Sequence, residues 1–215
     1  MENNISNPYR KDGYTTGVPE VLFPHVKNFC EKISTEYPIY ISVKPESNFQ
    51  VGECFKNVDE VIKNKGGHRI LGWRIWEWYG IMIEAELHAV WLSPSEEMID
   101  ITPSPLFFDK ILFLTDPHIV YSDEQIDNIR QPLIDNQNLN KFIEMHKERF
   151  NLLNKGERSK QYEVKLSGDE LASFSKLNRS INELFMLIHK SIPRRNDLCR
   201  CGSGNKYKKC CGKDK

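Results

Sequence analysis

An α+β fold, with a helix packed on an antiparallel sheet, follows from two changes of hydrophobic period along the 215-residue chain. Apolar residues first recur at intervals of three and four, the spacing of helices with one buried face. From His68 they alternate or run together, as strands do, and from Ser122 the helical period returns. The last twenty or so residues abandon periodicity for Cys, Gly and Lys, and these form a third, much smaller part.

Residues 1–20 are polar and broken by Pro8, Gly13, Gly17 and Pro19, and are read as surface chain. Val21 to Glu36 is a predicted helix with Val26, Phe29, Cys30 and Ile33 on one stripe; Pro38 ends it and Ile39–Val43 is a short strand. A second helix starts near Gly52 or Glu53 and stops at Gly66-Gly67, with Cys54, Val58, Val61 and Ile62 on its apolar stripe. His68–Trp78 and Ile81–Leu92 are strands. In the latter Ile81, Ile83, Ala85, Leu87, Ala89 and Trp91 share one face, with Glu84, Glu86 and His88 on the other. Ser93-Pro94-Ser95-Glu96 is a turn, and Met98–Thr102 and Ile111–Leu114 complete an expected antiparallel meander.

Ser122-Asp123-Glu124-Gln125 has capping-box spacing and predicts a helix interrupted by Pro132. Helix resumes over about Leu139–Leu153, and Asn154-Lys155-Gly156 reads as a boundary. After a short strand at Tyr162–Leu166, Ser167 caps a helix through Lys190, with Leu171, Phe174, Leu177, Ile181, Leu184 and Leu187 at helical spacing. The expected organisation is an α+β body over 1–156, a helical connector over 157–192 and a small C-terminal zinc module over 193–215.

Composition narrows the function classes. No apolar run approaches the roughly 18 residues of a membrane span, and Met1–Ser6 lacks the basic and apolar regions of a secretory signal. The expectation is a soluble cytoplasmic protein. The net charge of zero is unevenly spread: from Pro193 onward eight Lys and Arg face two Asp, leaving 22 basic against 28 acidic residues before it. A mildly acidic body thus carries a basic tail.

Four of the six cysteines, Cys199, Cys201, Cys210 and Cys211, fall within thirteen residues as C-x-C-x8-C-C. Four thiolates make a soft tetrahedral set suited to zinc in a closed structural site. Gly202 and Gly204 permit the turn between the pairs, and Lys206, Lys208 and Lys209 offset the site's negative charge. The stretch Arg195 to Gly212, with Arg-Asn-Asp, Cys-x-Cys-Gly-Ser-Gly, Lys-Tyr-Lys-Lys-Cys-Cys and a closing glycine, resembles the SEC-C motif, the zinc-binding tail of the SecA translocase motor. It departs from that motif at Leu198 and Arg200, where proline is usual; neither is a ligand. The resemblance implies bound zinc and docking to a protein partner, a ribosome or another acidic surface. Tyr207 alone is available for base stacking, so contact with phosphates or carboxylates is favoured over base reading.

Cys54 opens a predicted helix, where free amides and the helix dipole stabilise a thiolate. His88 is central in a strand and Asp100 lies on the next, so a hairpin can bring the carboxylate to the imidazole. Glu86, on the His88 face, is the rival orienting group, and Gln50 can offer its amide to an oxyanion beside the Cys54 N–H. The order Cys on a helix, His on a strand and Asp on the following strand resembles the layout of papain-like, NlpC-like and transglutaminase-like cysteine hydrolases. That resemblance implies a thiol hydrolase or acyltransferase acting on an amide or thioester. A second reading stands beside it. Cys54 shares a stripe with Val58 and Ile62 and is then a small buried hydrophobe, His88 a core histidine, and the protein a non-enzymatic adaptor. Cys30 is read as core, and Trp73, Trp76, Trp78 and Trp91 as core in preference to a groove wall.

Overall fold

The computed structural model describes residues 16–104, 108–161, 164–191, 193, 195–198 and 204–210, and over these the chain is α+β. It divides into two compact units between Ile134 and Asp135, with the sheet in the first. The first unit runs β1 (Thr16–Gly17), α1 (Pro24–Glu31), β2 (Ile39–Val43), α2 (Cys54–Lys65), β3 (His68–Trp78), β4 (Met82–Leu92), β5 (Met98–Asp100), β6 (Lys110–Thr115) and β7 (Ile129–Pro132).

The strand order is β1-β3-β6-β2-β5-β4-β7, and β3 also pairs with β4, so five strands close into a small barrel. The long β3–β4 hairpin pairs residue for residue from His68↔Leu92 to Trp78↔Met82. Its inner half joins the ring through Gly72–Ile75 on β6 and Trp91–Leu92 on β5. Its tip is flanked by β1 at Glu77–Trp78 and by β7 at Met82–Ala85.

The expected simple meander is corrected here. β2 lies between β5 and β6, antiparallel to β6 but parallel to β5 through Ser42↔Ile99 and Val43↔Asp100. The reason is burial: Ile111, Leu112, Phe113 and Leu114 are all at most 1 % exposed, and a strand buried on both faces needs neighbours on both edges. The core they join includes Val26, Phe29 and Cys30 of α1 and Ile75, Ile83 and Ala85 of the hairpin. Each large side chain so buried contributes about 1.5–3 kcal/mol.

α1 is shorter than its sequence pattern, because Pro24 stands at its first turn and Val21 and Phe23 are exposed. α2 ends where Gly66 takes φ 73° and returns its N–H to the Ile62 carbonyl. No helix forms at Ser122: Asp123 has φ 61°, which a capping box does not accommodate, and β7 instead pairs along β4, closing the edge at Pro132.

The second unit contains α3 (Gln137–Leu153) and α4 (Gly168–Ser191), which pack together. The Asn136 side chain accepts from Leu139 N–H and caps α3. At α4 the box is reciprocal, with Glu170 N–H donating to Ser167 Oγ at 3.4 Å and Ser167 N–H to Glu170 Oε2 at 3.0 Å. Of the expected α4 stripe, Ile181 and Leu184 are buried together with Ile188, whereas Leu171 and Leu187 are exposed. Tyr162 and Glu163 of the expected short strand lie outside the described residues, and Val164–Ser167 is not strand. Among the described residues no helix is long and apolar enough to cross a membrane.

Candidate functional site

Cys54 is the first residue of α2, preceded by a turn in which Gly52 has φ 80° and Glu53 N–H donates to the Gln50 carbonyl at 3.4 Å. The helix lies against β4, and Cys54 packs with Val58, Val61, Ala89, Ile99 and Ile101. His88 occupies the middle of β4, opposite Gly72. The β4–β5 register, Trp91↔Ile99, puts Asp100 diagonal to His88 on the same side of the sheet.

The structure brings these three groups together. His88 Nε2 lies 3.0 Å from Asp100 Oδ1, off the line of a well-directed hydrogen bond, so the contact is chiefly an ion pair. The Cys54 thiol lies close enough to the imidazole to favour its cation. All three are buried: Cys54 is 6 % exposed, His88 2 % and Asp100 1 %.

Burial opposes charge on His88, but the Asp100 carboxylate overrides it and the imidazolium is pushed up to about 9, with Arg74 working against the shift and the nearby Cys54 thiol for it. Burial likewise opposes the Asp100 carboxylate, yet His88, Arg74 and the Thr102 N–H hold it below the usual range. The Thr102 N–H donates to Asp100 Oδ1 at 3.0 Å.

Glu86 is engaged elsewhere. Its Oε2 accepts from Arg74 Nη2 at 2.8 Å and from Trp76 Nε1 at 2.7 Å. Burial opposes its charge, but Arg74 and Trp76 keep the carboxyl below its ordinary value. Arg74 stacks 4.6 Å over the Trp76 ring, and its Nη1 comes within 3.9 Å of Asp100 Oδ2. One guanidinium therefore spans both carboxylates, and Asp100 is the one within 3.0 Å of His88.

Gln50 is exposed, and its backbone is what the fold secures: its carbonyl accepts from Asn57 Nδ2 at 2.9 Å. Cys30 is fully buried, and burial, with Glu31 nearby, pushes its thiol up to about 12. Trp73, Trp76 and Trp78 are buried in the core. An open cleft of about 340 Å³ is lined by residues that include Lys32, Trp73, Asp116 and Gln131, and none of Cys54, His88, Asp100 or Gln50 lines it.

Sequence reasoning missed Arg74, Asn57 and Thr102. Asn57 had a visible signal, a polar residue one turn after Cys54 on the face that also carries Val58 and Val61. Arg74 had only its place in an apolar strand.

In the tail, Cys199, Cys201 and Cys211 lie outside the described residues, and Cys210 is half-buried. The chain around them folds back on itself. Leu198 bridges Lys206, Tyr207 N–H donates to the Asp197 carbonyl at 2.7 Å, and Lys208 N–H to that of Arg195 at 3.0 Å. Gly204 makes the turn with φ 71°, and a single 3-10 turn over Tyr207–Lys209 delivers Cys210. Residues 195–198 and 204–210, which flank the cysteines in sequence, are thus tied side by side.

Residues 195–213 match the family model of the SEC-C motif, a zinc-binding type of motif. The SecA protein translocase subunit of Alkaliphilus oremlandii is 67 % identical over 27 residues, 13 % of this chain and 3 % of that protein. That of Desulfovibrio desulfuricans is 71 % identical over 28 residues, 12 % of this chain and again 3 % of the relative. The chain thus spans a very small part of the curated relatives it matches, and the likeness to each covers only a short stretch of this chain. No solved structure gives a significant match.

Proposed function

We propose that the first unit is a thiol hydrolase or acyltransferase for an amide or thioester, and that the SEC-C-like tail is its docking element. The observation that carries this reading is the buried His88–Asp100 ion pair set against the first residue of a helix, Cys54. With Nε2 committed to Asp100, Nδ1 is the nitrogen left to exchange a proton with sulfur. A layout resembling the papain-like hydrolases is part of the proposal.

In this reading the Cys54 thiolate attacks the substrate carbonyl carbon and the carbonyl electron pair moves onto oxygen. The Cys54 N–H and the Gln50 amide, swung inward, receive that oxyanion. Collapse of the tetrahedral species expels the amine or thiol, which leaves with the His88 proton, and the acyl group stays on sulfur. Water or an acceptor nucleophile then gives a proton to His88 as it attacks the thioester, and the Cys54 thiolate is released. Asp100 orients the imidazole and stabilises its cation. Cys199, Cys201, Cys210 and Cys211 would hold zinc, which when bound cross-links the tail. The basic tail would then meet a protein partner or ribosome through acidic groups.

One observation favours the second reading, a non-enzymatic adaptor: Cys54 is 6 % exposed and sits in an apolar cluster. Iodoacetamide labelling of the folded chain across a pH series, read by mass spectrometry, separates the two. A nucleophile paired with His88 is alkylated at neutral and mildly acidic pH, and His88→Ala moves that profile upward. Asp100→Asn moves it less and Glu86→Gln least, since Glu86 faces Arg74 and Trp76. Cys30 is the unreactive internal control. A Cys54 that reacts only after denaturation is core packing, and the adaptor reading then stands.

A further inference from the structure

We propose that Asn57 is a positioning residue of the thiol site, holding the turn before Cys54 and the strand end that carries Asp100 in one register; this rests on the thiol reading above. Asn57 is 5 % exposed on the same buried face of α2 as Cys54, Val58 and Val61. An amide at such a place costs stability unless its donors and acceptor are matched. They are matched on two sides. Towards the turn, Nδ2 donates to the Gln50 carbonyl at 2.9 Å while Oδ1 accepts from Gln50 N–H at 3.4 Å, a two-bond clasp on one residue. Towards the sheet, Nδ2 lies 3.5 Å from Thr102 Oγ1, a buried hydroxyl whose own backbone N–H holds Asp100.

These contacts form a ring open only at the thiol. It runs from His88 to Asp100, Thr102 and Asn57, and reaches Cys54 along one turn of α2, where the thiol lies beside the imidazole. The thiol and the imidazole are therefore spaced from both sides, by packing of α2 on β4 and by the amide that links the helix to the end of β5. The charged and titratable groups around this ring are His88, Asp100, Arg74 from β3, Glu86 from β4, the buried Glu53 paired with Lys56, and Tyr121, which stacks on Phe55 at 3.9 Å. Asn57 adds no charge to that set. Its contribution is distance and orientation, where an error of about 1 Å costs on the order of a hundredfold in reactivity.

The test is the pH profile of Cys54 alkylation by iodoacetamide in the full chain. Asn57→Leu keeps size and helical character but removes the clasp, and is expected to raise the profile's midpoint by about one pH unit, roughly a tenfold loss of rate on its acidic limb. Thr102→Val, which keeps the N–H to Asp100, should move it the same way by less. Val26→Ala is the control: it destabilises the same unit through the separate core cluster under α1 and should leave the midpoint in place. An unchanged midpoint in Asn57→Leu, while the native protein still responds to His88→Ala, overturns the proposal and leaves the thiol reading intact. Faster labelling at every pH also overturns it, since Asn57 would then be only a cover. If Asn57→Leu does not fold, Thr102→Val alone decides, and an unmoved midpoint counts against the proposal. A native Cys54 that resists labelling until denatured defeats the thiol reading first, and this inference with it.

Discussion

Gly72 pairs directly with His88 across β3 and β4, at the point where β3 also pairs with β6. A Cβ built at Gly72 would stand 2.2 Å from the Leu114 carbonyl oxygen and 2.7 Å from the Phe113 ring. The missing side chain is what lets β6 close on the strand opposite the histidine. Gly72→Ala is therefore expected to cost about 1–3 kcal/mol in denaturant unfolding. Gly168→Ala, at the start of α4 with nothing within 4 Å of its Cβ, should be close to neutral. Equal costs at the two positions would show that β6 does not depend on the close approach.

Stability should carry the signature of the buried ion pair. The His88 imidazolium persists to about 9, against about 6.5 for an unfolded histidine. A raised folded value means that the folded state binds the extra proton. The contribution is complete below about 6.5 and is lost as pH rises through about 9. Asp100 is shifted down, so its contribution is present above the usual carboxylate range and is lost as pH falls. Melting temperature measured from pH 5.5 to 9.5 should fall towards the alkaline end in the native protein and fall less in His88→Gln. Parallel curves would mean that His88 is neutral in the fold.

Purified protein should hold one zinc per chain, bound by Cys199, Cys201, Cys210 and Cys211. Small metal modules fold with their ion, so chelation should unfold the tail and leave the melting of the first unit nearly unchanged. Elemental analysis is the check. Freshly purified chain without zinc, or zinc retained after Cys210→Ser with Cys211→Ser, would count against the ligand set.

The tail's excess of eight basic over two acidic residues should make partner binding salt-sensitive. Capture of ribosomes or an acidic protein should weaken steeply as salt is raised and disappear when Lys206, Lys208 and Lys209 become glutamate. Binding indifferent to both changes would mean that the tail does not dock through charge.

Some of this protein was determined by sequence alone because the information is local. β2 runs from Ile39 to Val43 and β3 from His68 to Trp78, the limits that their apolar patterns mark. Gly66 stops α2 because a left-handed φ there suits glycine. The Cys-x-Cys and Cys-Cys pairs are legible for the same reason: ligand spacing is a property of a short stretch. The capping box at Ser122 misled because Ile129–Pro132, where that helix would continue, pair with β4, and an edge pairing outweighs a local helix signal. Tertiary structure also decided which strand lies beside which. Period tells which face of β5 is buried, but not that β2 inserts beside it in parallel and separates it from β6. The same limit governs the candidate site. Sequence placed two carboxylates, Glu86 and Asp100, within reach of His88; only the fold puts Arg74 and Trp76 on Glu86 and Asp100 within 3.0 Å of the imidazole. Asn57 belongs to that second category. Its amide matches Gln50 and Thr102, and Thr102 lies 45 residues along the chain, a pairing that only closure of the barrel against α2 creates.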